Sequence, residues 1–184
     1  MNETATHWVF GYASLIWRPG FDFLSRQKAL LRGAHRSLCV YSHVHRGSRD
    51  SPGLVFGLVR GGACLGMAFE VAEADWVATR DYLRAREQVT MVYREVERVV
   101  RLADGRVVRA LAYVVDEKHE QFAGRLDLDT QFRLVQRSAG QSGPNPEYVV
   151  NTARHLSDLG IRDPYLGELV RRLEGVDPVV PATA

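Results

Sequence analysis

The pattern of apolar and polar residues is strand-like in the first part of the chain. Short apolar runs bounded by Gly, Ser, Pro and charged residues are typical of buried strands. Four such runs lie at His7–Tyr12, Ser37–Tyr41, Gly53–Val59 and Leu65–Val71. The stretch Ser42–Pro52 between the second and third runs is polar and rich in turn residues, which predicts a surface loop.

A helix and a hairpin are predicted in the middle of the chain. From Glu73 to Arg86 the apolar positions share one helical face, which predicts an amphipathic helix. Two β-rich runs follow, Tyr93–Leu102 and Arg106–Val115. The Asp104-Gly105 pair between them suits a tight hairpin turn, because both positions tolerate positive φ.

The last third of the chain is predicted to be helical. A first helical stretch contains Phe132–Val135 and ends near Gly140. Two further helices each begin with an N-cap side chain followed by proline at the first helical position, at Asn145-Pro146 and Asp163-Pro164. Gly160 closes the earlier of the two, and the proline-containing tail 177–184 is expected to be loose.

This order of elements predicts an α+β fold whose sheet is mixed, mostly antiparallel and barrel-like, with flanking helices. The strands do not alternate regularly with helices, which disfavours a doubly wound parallel sheet. The 184 residues, of which 46% are hydrophobic and 25% charged, fit a single globular domain over 1–184.

Charge, cysteine content and hydropathy narrow the class of protein. The net charge of +2 is too small to indicate charge-driven binding of nucleic acid. Two cysteines, Cys39 and Cys64, cannot form a disulfide framework and fit a reducing compartment. No apolar run reaches the roughly 20 residues of a transmembrane helix, and the N-terminus lacks the pattern of a signal peptide. We therefore expect a cytoplasmic protein without a membrane or nucleic-acid partner, and its oligomeric state stays open.

The first candidate for chemistry is the segment 11–16 at the end of the first predicted strand. A strand that ends in small residues and turns presents successive N–H groups to one point, which suits a carboxylate or phosphate. An ordinary turn after a strand fits the same spacing. No Gly-Lys-Ser/Thr follows, so the segment is not a P-loop.

The second candidate is Glu87, at the end of the predicted amphipathic helix. The dipole at a helix C-terminus raises the pKa of a carboxyl group, which favours a residue that takes up and releases a proton. The neighbouring Arg84 and Arg86 act in the opposite direction. A solvated surface glutamate is the alternative interpretation.

Other motifs carry weaker signals. His43 and His45 alternate as metal ligands on a strand would, but no second pair with ligand spacing follows, so we expect no metal. No Gly-x-Ser-x-Gly is present and neither cysteine has the setting of a reactive thiol, which disfavours a Ser or Cys nucleophile. The segment Ser138–Asn145 allows close approach to a ligand, or it simply connects two helices.

Together these segments resemble the ChaC-like gamma-glutamylcyclotransferases, the glutathione-specific branch of that group of lyases. The resemblance extends from about Trp8 to about Leu173, and its pieces occur in the order of the family. The matching pieces are Val9–Trp17, Ser42–Gly47, Tyr82-Leu83 with Arg86-Glu87, Tyr93-Arg94, and Ser138–Asn145 with Glu147-Tyr148.

The resemblance implies a gamma-glutamylcyclotransferase-like fold and cleavage of glutathione, without a cofactor, into 5-oxoproline and cysteinylglycine. It also implies that Glu87 is the catalytic carboxylate and acts as proton acceptor. The substrate-binding loop that it implies consists of Gly11, Tyr12, Ala13, Ser14, Leu15 and Ile16.

Two residues depart from the family pattern, which usually has glycine at the positions of Ala13 and Met91. A positive φ at Ala13 would add about 1 kcal/mol or more of strain. Met91 is expected to reshape the pocket wall. These departures keep two other interpretations open, a non-catalytic protein that binds gamma-glutamyl compounds and a cyclotransferase for other gamma-glutamyl amines.

Overall fold

The computed structural model describes residues 5–175 of the chain. These residues form two compact units, one made of 5–40 and 56–124 and the other of 41–55 and 125–175. The tail 177–184, predicted to be loose, lies outside the described residues. No helix within the described range is long and apolar enough to cross a membrane.

A closed five-stranded barrel forms the body of the first unit. Its strands follow the order β1-β3-β2-β4-β5, and the parallel pairing of β1 with β5 closes the barrel. The pairs β1–β3, β2–β4 and β4–β5 are antiparallel, which confirms the predicted α+β fold with a mixed, mostly antiparallel barrel. The strands are β1 (Thr6–Gly11), β2 (Ser25–Ser42), β3 (Gly53–Ala72), β4 (Tyr93–Leu102) and β5 (Val107–Val115).

Two strands are longer than predicted. The predicted runs Gly53–Val59 and Leu65–Val71 are parts of the single strand β3, which continues through Gly61 and Gly62 with φ of +97° and +70°. β2 begins at Ser25, where exposed polar residues alternate with half-buried ones. Apolar runs reveal only the buried parts of a strand, whereas pairing with a neighbour satisfies the backbone along its whole length.

Helix α2 (Glu73–Glu87) and the β4–β5 hairpin lie as predicted. In the hairpin turn, Gly105 alone of the Asp104-Gly105 pair takes a positive φ, of +92°. α2 packs against β1, and its buried residues are Thr79 and Leu83. Barrel and helix therefore both exclude water from β1, which explains its continuous apolar run.

A charged cluster connects α2 to the barrel. Glu95 of β4, 11% exposed, accepts hydrogen bonds from Arg80 at 2.5 and 2.8 Å and from Arg84 at 2.8 and 2.9 Å. The hydroxyl of the buried Tyr113 donates one further hydrogen bond to Glu95, at 3.0 Å. Burial alone would raise the pKa of Glu95, but these donors outweigh it and lower the pKa to about 2.

The second unit contains three helices that pack against one another and a two-stranded hairpin. The predicted continuation of the first helix to Gly140 is wrong, because the chain leaves the helix after Gln136. Gly140 pairs with Gly143 instead, and a Cβ at Gly140 would lie only 2.4 Å from the Val44 oxygen. The elements are α3 (Leu128–Gln136), β6 (Ala139–Gly140), β7 (Gly143–Pro144), α4 (Asn145–Asp158) and α5 (Pro164–Leu173).

The predicted N-cap role of Asn145 is also wrong. Pro144 occupies the N-cap position of α4, and the fully buried Asn145 side chain bonds to the backbone of Leu54 instead. Its Oδ1 accepts from the Leu54 N–H at 2.7 Å and its Nδ2 donates to the Leu54 oxygen at 2.8 Å. At α5 the cap is confirmed, since the Asp163 side chain accepts from the Leu166 N–H at 3.0 Å.

The loop 88–92 between α2 and β4 contains a strained residue. Met91 has φ of +62° and is, within residues 5–175, the one non-glycine residue with positive φ. Its side chain is exposed, so no burial compensates for the strain. A left-handed backbone costs a non-glycine residue about 1–2 kcal/mol.

We expect the substitution Glu95→Gln to reduce the acid sensitivity of the fold. A carboxyl whose pKa is lowered on folding stabilises the fold above its unfolded value and ceases to do so as pH falls through the folded value. In the wild type, the contribution of Glu95 to stability is therefore lost as pH falls from about 4.5 to about 2. Urea unfolding at a series of pH values should show a shallower decline in the variant.

The matched control for this prediction is Glu97→Gln on the same strand. Glu97 pairs with Arg109 at 2.8 Å, but both side chains are exposed and solvent screens the pair. This control should keep the pH dependence of the wild type. Equal slopes in all three proteins would contradict the assignment of acid sensitivity to Glu95.

We expect Met91→Gly to raise the free energy of unfolding by about 0.5–1 kcal/mol, because glycine adopts positive φ without strain and only part of that gain is offset by unfolded-chain entropy. Val89→Gly, in the same exposed loop but without positive φ, should lower it by about 0.5–1 kcal/mol. Chemical denaturation measures both changes, and a loss of stability in Met91→Gly would refute the prediction.

Candidate active site

The candidate substrate loop begins where β1 ends, at Gly11. The sequence predicted a turn there, and the structure forms one helical turn, α1 (Ser14–Trp17). The Ile16 N–H donates to the Ala13 oxygen at 2.9 Å. The N–H groups of Ala13, Ser14 and Leu15 stand at the start of this turn, where a helix offers no acceptor of its own. These N–H groups can therefore donate to acceptors outside the turn.

The backbone of Ala13 has φ of −141° and ψ of −117°, outside the left-handed region. Ala13 therefore has no positive-φ strain, although the family usually has glycine at this position. The other departure from the family pattern, Met91, does take a positive φ.

Close packing holds the loop against β3. A Cβ at Gly11 would lie 3.0 Å from Leu15 Cβ and 3.3 Å from Phe69 Cε2, and a Cβ at Gly66 would lie 2.4 Å from the Gly11 oxygen. Tyr12, Leu15 and Ile16 are buried, whereas Ser14 is half-buried. Small residues at positions 11 and 66 thus allow the two backbones to approach, which fixes the path of the loop.

Arg36 of β2 supports the first part of the loop. Its Nε donates to the Tyr12 oxygen at 2.5 Å and its Nη2 donates to the Leu65 oxygen at 2.6 Å. The guanidinium thereby connects the backbone of the loop with that of β3.

Arg86, near the end of α2, supports the second part of the loop. Its Nη2 donates to Ser14 Oγ at 3.0 Å. Its Nη1 donates to the oxygens of Arg18 and Pro19 at 2.5 and 3.2 Å and to Tyr82 Oη at 3.0 Å. One side chain therefore contacts α1, the segment after it and its own helix.

Glu87 is the last residue of α2, and its Oε1 lies 3.2 Å from Arg86 Nε. The side chain is 17% exposed, so it is not the solvated surface glutamate that the sequence also allowed. Burial raises the pKa of Glu87, and the charge of Arg86 partly opposes this. The dipole at the helix C-terminus acts in the same direction as burial. The result is a carboxylate more basic than an ordinary glutamate.

The structure thus brings the loop 11–16 and Glu87 together through Arg86. Sequence reasoning named both but missed the supporting roles of Arg36 and Arg86. A signal was present for Arg86, which directly precedes Glu87 in the motif. No local signal marks Arg36, because its acceptors Tyr12 and Leu65 are distant in sequence.

The remaining candidates lie in the second unit and make contacts within it. The His43 ring stacks on Tyr41, with centroids 6.5 Å apart, and His45 Nδ1 lies 3.1 Å from Ser142 Oγ. The segment Ser138–Asn145 forms the β6–β7 hairpin and the start of α4. Within residues 5–175, no group of three or more His, Cys, Asp or Glu side chains is arranged to hold a metal ion.

Both cysteines are buried in a setting that disfavours a thiolate. Burial raises the pKa of Cys39 to about 12. Burial likewise raises the pKa of Cys64, against the opposing charge of Arg36. Neither thiol is therefore activated as a nucleophile.

Comparison with known sequences gives relatives that are named gamma-glutamylcyclotransferases. The chain is 29% identical to the glutathione-specific gamma-glutamylcyclotransferase of Escherichia coli, over 89% of this chain and 71% of that protein. It is 30% identical to the glutathione-specific gamma-glutamylcyclotransferase 1 of Danio rerio, over 86% and 84% of the two chains. The corresponding enzyme of Schizosaccharomyces pombe is 31% identical, over 85% and 87%.

Comparison with solved structures supports the fold. The crystal structure of the glutathione-specific gamma-glutamyl cyclotransferase from yeast superposes with a TM-score of 0.84 at 22% identity, over 96% of this chain and 99% of that one. The structure of a gamma-glutamyl cyclotransferase gives a TM-score of 0.52 at 14% identity, over 98% and 93%. The barrel described above is therefore the fold of this group.

The family model described as ChaC-like protein matches residues 7–175. That range contains the five strands of the barrel except Thr6, the first residue of β1, and it includes the loop 11–16 and Glu87. The match extends over nearly all of the described chain, and this protein belongs to the ChaC-like family.

Proposed function

We propose that this protein is a gamma-glutamylcyclotransferase that cleaves glutathione into 5-oxoproline and cysteinylglycine, with Glu87 as proton acceptor and donor. Relatives of this name support the substrate and the reaction. The observation that carries the site is the position of Glu87, a largely buried carboxylate beside the guanidinium that contacts the loop through Ser14.

The substrate supplies its own nucleophile. The α-amine of the gamma-glutamyl group attacks the γ-carbonyl carbon, and a five-membered ring closes as the new N–C bond forms. The C–N bond to the cysteinyl nitrogen then breaks. No water is consumed, and neither a metal ion nor a Ser or Cys nucleophile is required for this chemistry.

The loop has the donors to orient the substrate. In the proposal, the N–H groups of Ala13, Ser14 and Leu15 bind the α-carboxylate, which directs the α-amine toward the γ-carbonyl. Holding two reacting groups in the correct geometry gives effective molarities of about 10⁵ M or above. Positioning therefore supplies much of the rate enhancement, and the rigid packing of Gly11 against β3 serves it.

The proton follows a closed path. Glu87 takes a proton from the α-ammonium, which makes the amine nucleophilic, and later gives that proton to the departing cysteinyl nitrogen. The ring nitrogen loses a second proton as the lactam forms, and this proton leaves with the amine of cysteinylglycine, which departs as an ammonium. A carboxylate whose pKa is raised by burial is a better base than an ordinary glutamate, and it returns the proton more readily than a strong base would. The position of Glu87 at the end of α2 suits both steps.

We expect Glu87→Gln to lower kcat for glutathione by about 10²-fold or more, because general acid–base catalysis contributes about 10²–10⁴. Binding of glutathione, measured by calorimetry, should be retained, since the amide preserves the shape of the side chain. Asp81→Asn is the matched control, an exposed carboxylate on the same helix, and should leave kcat unchanged. Near wild-type kcat in Glu87→Gln would refute the role of Glu87.

We expect the purified protein to release 5-oxoproline and cysteinylglycine from glutathione at the same rate with and without a chelator, as measured by mass spectrometry. Cyclisation of γ-glutamylalanine but not of glutathione would show a cyclotransferase for other gamma-glutamyl amines. Binding of glutathione without any product, in folded protein, would show the non-catalytic alternative.

A further inference from the structure

We propose that Arg86 is a positioning residue that sets the loop 11–16 and the Glu87 carboxylate in one geometry for catalysis. The inference rests on the proposed function, because it assigns Arg86 a part in the same site. Its basis is that one guanidinium, 19% exposed on its side chain, contacts both Ser14 Oγ at 3.0 Å and Glu87 Oε1 at 3.2 Å.

Each nitrogen of the guanidinium has a separate acceptor group. Nε faces Glu87, Nη2 donates to Ser14, and Nη1 donates to the oxygens of Arg18 and Pro19. A guanidinium offers five donors in a planar fork, whereas a lysine ammonium is a compact charge with three. Lysine at this position would keep the charge but lose the simultaneous contacts.

Tyr82 fixes the orientation of the guanidinium. Its Oη accepts from Arg86 Nη1 at 3.0 Å. A Cβ at Gly20 would lie only 2.0 Å from the same Oη, and Gly20 has φ of +76°. The absence of a side chain at Gly20 therefore leaves room for Tyr82 between the segment that follows α1 and Arg86.

The contact with Arg86 also orients the Ser14 hydroxyl. Because Arg86 donates to Ser14 Oγ, the hydroxyl hydrogen of Ser14 must point to a different acceptor. In the proposed complex, this hydrogen and the nearby N–H groups of the loop donate to the same substrate carboxylate. Loss of Arg86 would free the hydroxyl to rotate and the loop to move, which weakens substrate binding.

Arg86 has a second effect through its charge. Within the described residues, the groups that interact electrostatically with Glu87 are Arg86 on α2, which contacts it, and Tyr113 on β5, whose raised pKa is due in part to the charge of Glu87. Arg86 lowers the pKa of Glu87 against the effect of burial. Removing this positive charge should therefore raise the pKa of Glu87, so that the carboxylate forms only at higher pH.

Three variants separate these effects. Arg86→Gln removes both the planar set of guanidinium donors and the positive charge. Arg86→Lys removes that set of donors but keeps the charge. Arg36→Gln is the matched control. Arg36 also supports the loop, through the Tyr12 oxygen, but its other acceptor is the Leu65 oxygen and not Glu87. KM, kcat and the pH profile of kcat/KM for glutathione are measured for each, with a melting curve to verify folding.

We expect Arg86→Gln to raise KM between about ten- and hundredfold, the effect of losing a hydrogen bond to a charged donor, and to move the acid limb of the profile to higher pH. Arg86→Lys should raise KM with the acid limb close to that of the wild type. Arg36→Gln should raise KM without moving the acid limb. An unchanged KM in folded Arg86→Gln, or an acid limb that moves equally in Arg36→Gln, would overturn the inference.

A measurement without turnover keeps this test independent of the proposed function. Carbon-13 NMR titration of the Glu87 carboxyl, in wild type, Arg86→Gln and Arg86→Lys, reports its pKa directly, and calorimetry with glutathione reports binding. If the wild type forms no product, the proposed function fails, yet a raised Glu87 pKa and weakened binding in Arg86→Gln still support the inference. Should Arg86→Gln fail to fold, Arg86→Lys decides it, and unchanged glutathione binding there would overturn it.

Discussion

The double burial of β1 is the constraint on which the rest of the structure depends. β1 closes the barrel, pairing antiparallel with β3 and parallel with β5, while α2 packs against it. A strand enclosed in this way must be apolar where it is buried, from Trp8 onward, and its end at Gly11 must pass close to the β3 backbone. The same packing sets the direction of α2. The loop after β1 and the end of α2 consequently meet, and the contact between Arg86 and Ser14 joins them.

Two glutamates near this junction have opposite electrostatic environments. The Glu95 side chain is half-buried, and hydrogen bonds from Arg84, Arg80 and Tyr113 hold its pKa at about 2, so it stays ionised and connects α2 to the barrel. Glu87 is also largely buried, but its one facing charge, Arg86, offsets the effect of burial only in part. Environments that move two carboxyl pKa values apart are typical of a division between a structural anion and a group that transfers protons. The number of donors around each carboxylate therefore accounts for the opposite directions of the two pKa shifts.

The sequence predicted the parts of the fold that leave a local signal. The β-rich runs of β4 and β5, the amphipathic face of α2 and the Asp163 cap each depend on neighbouring residues, and all were predicted correctly. The long strands β2 and β3 were missed in part, because pairing with distant strands, rather than apolar character, extends them. Asn145 was misread as a cap because its actual partner, the Leu54 backbone, is far away in sequence. The same holds for the proposed site. Its motifs are short stretches of neighbouring residues and could be predicted, whereas the contacts of Arg36 join residues distant in sequence and could not.

The two departures from the family pattern do not favour a non-catalytic protein. Ala13 has φ of −141°, so its methyl group introduces no left-handed strain and its N–H remains at the start of α1. Met91 does take a positive φ, but it is exposed in the loop 88–92, and none of the contacts of Arg86 described above involves it. The strain at Met91 therefore lowers stability, while the contacts of Arg86 with Ser14 and Glu87 are formed without Met91. A binding protein derived from this scaffold would have no need of a buried carboxylate with a raised pKa beside the loop, whereas a cyclotransferase requires that group to move its proton.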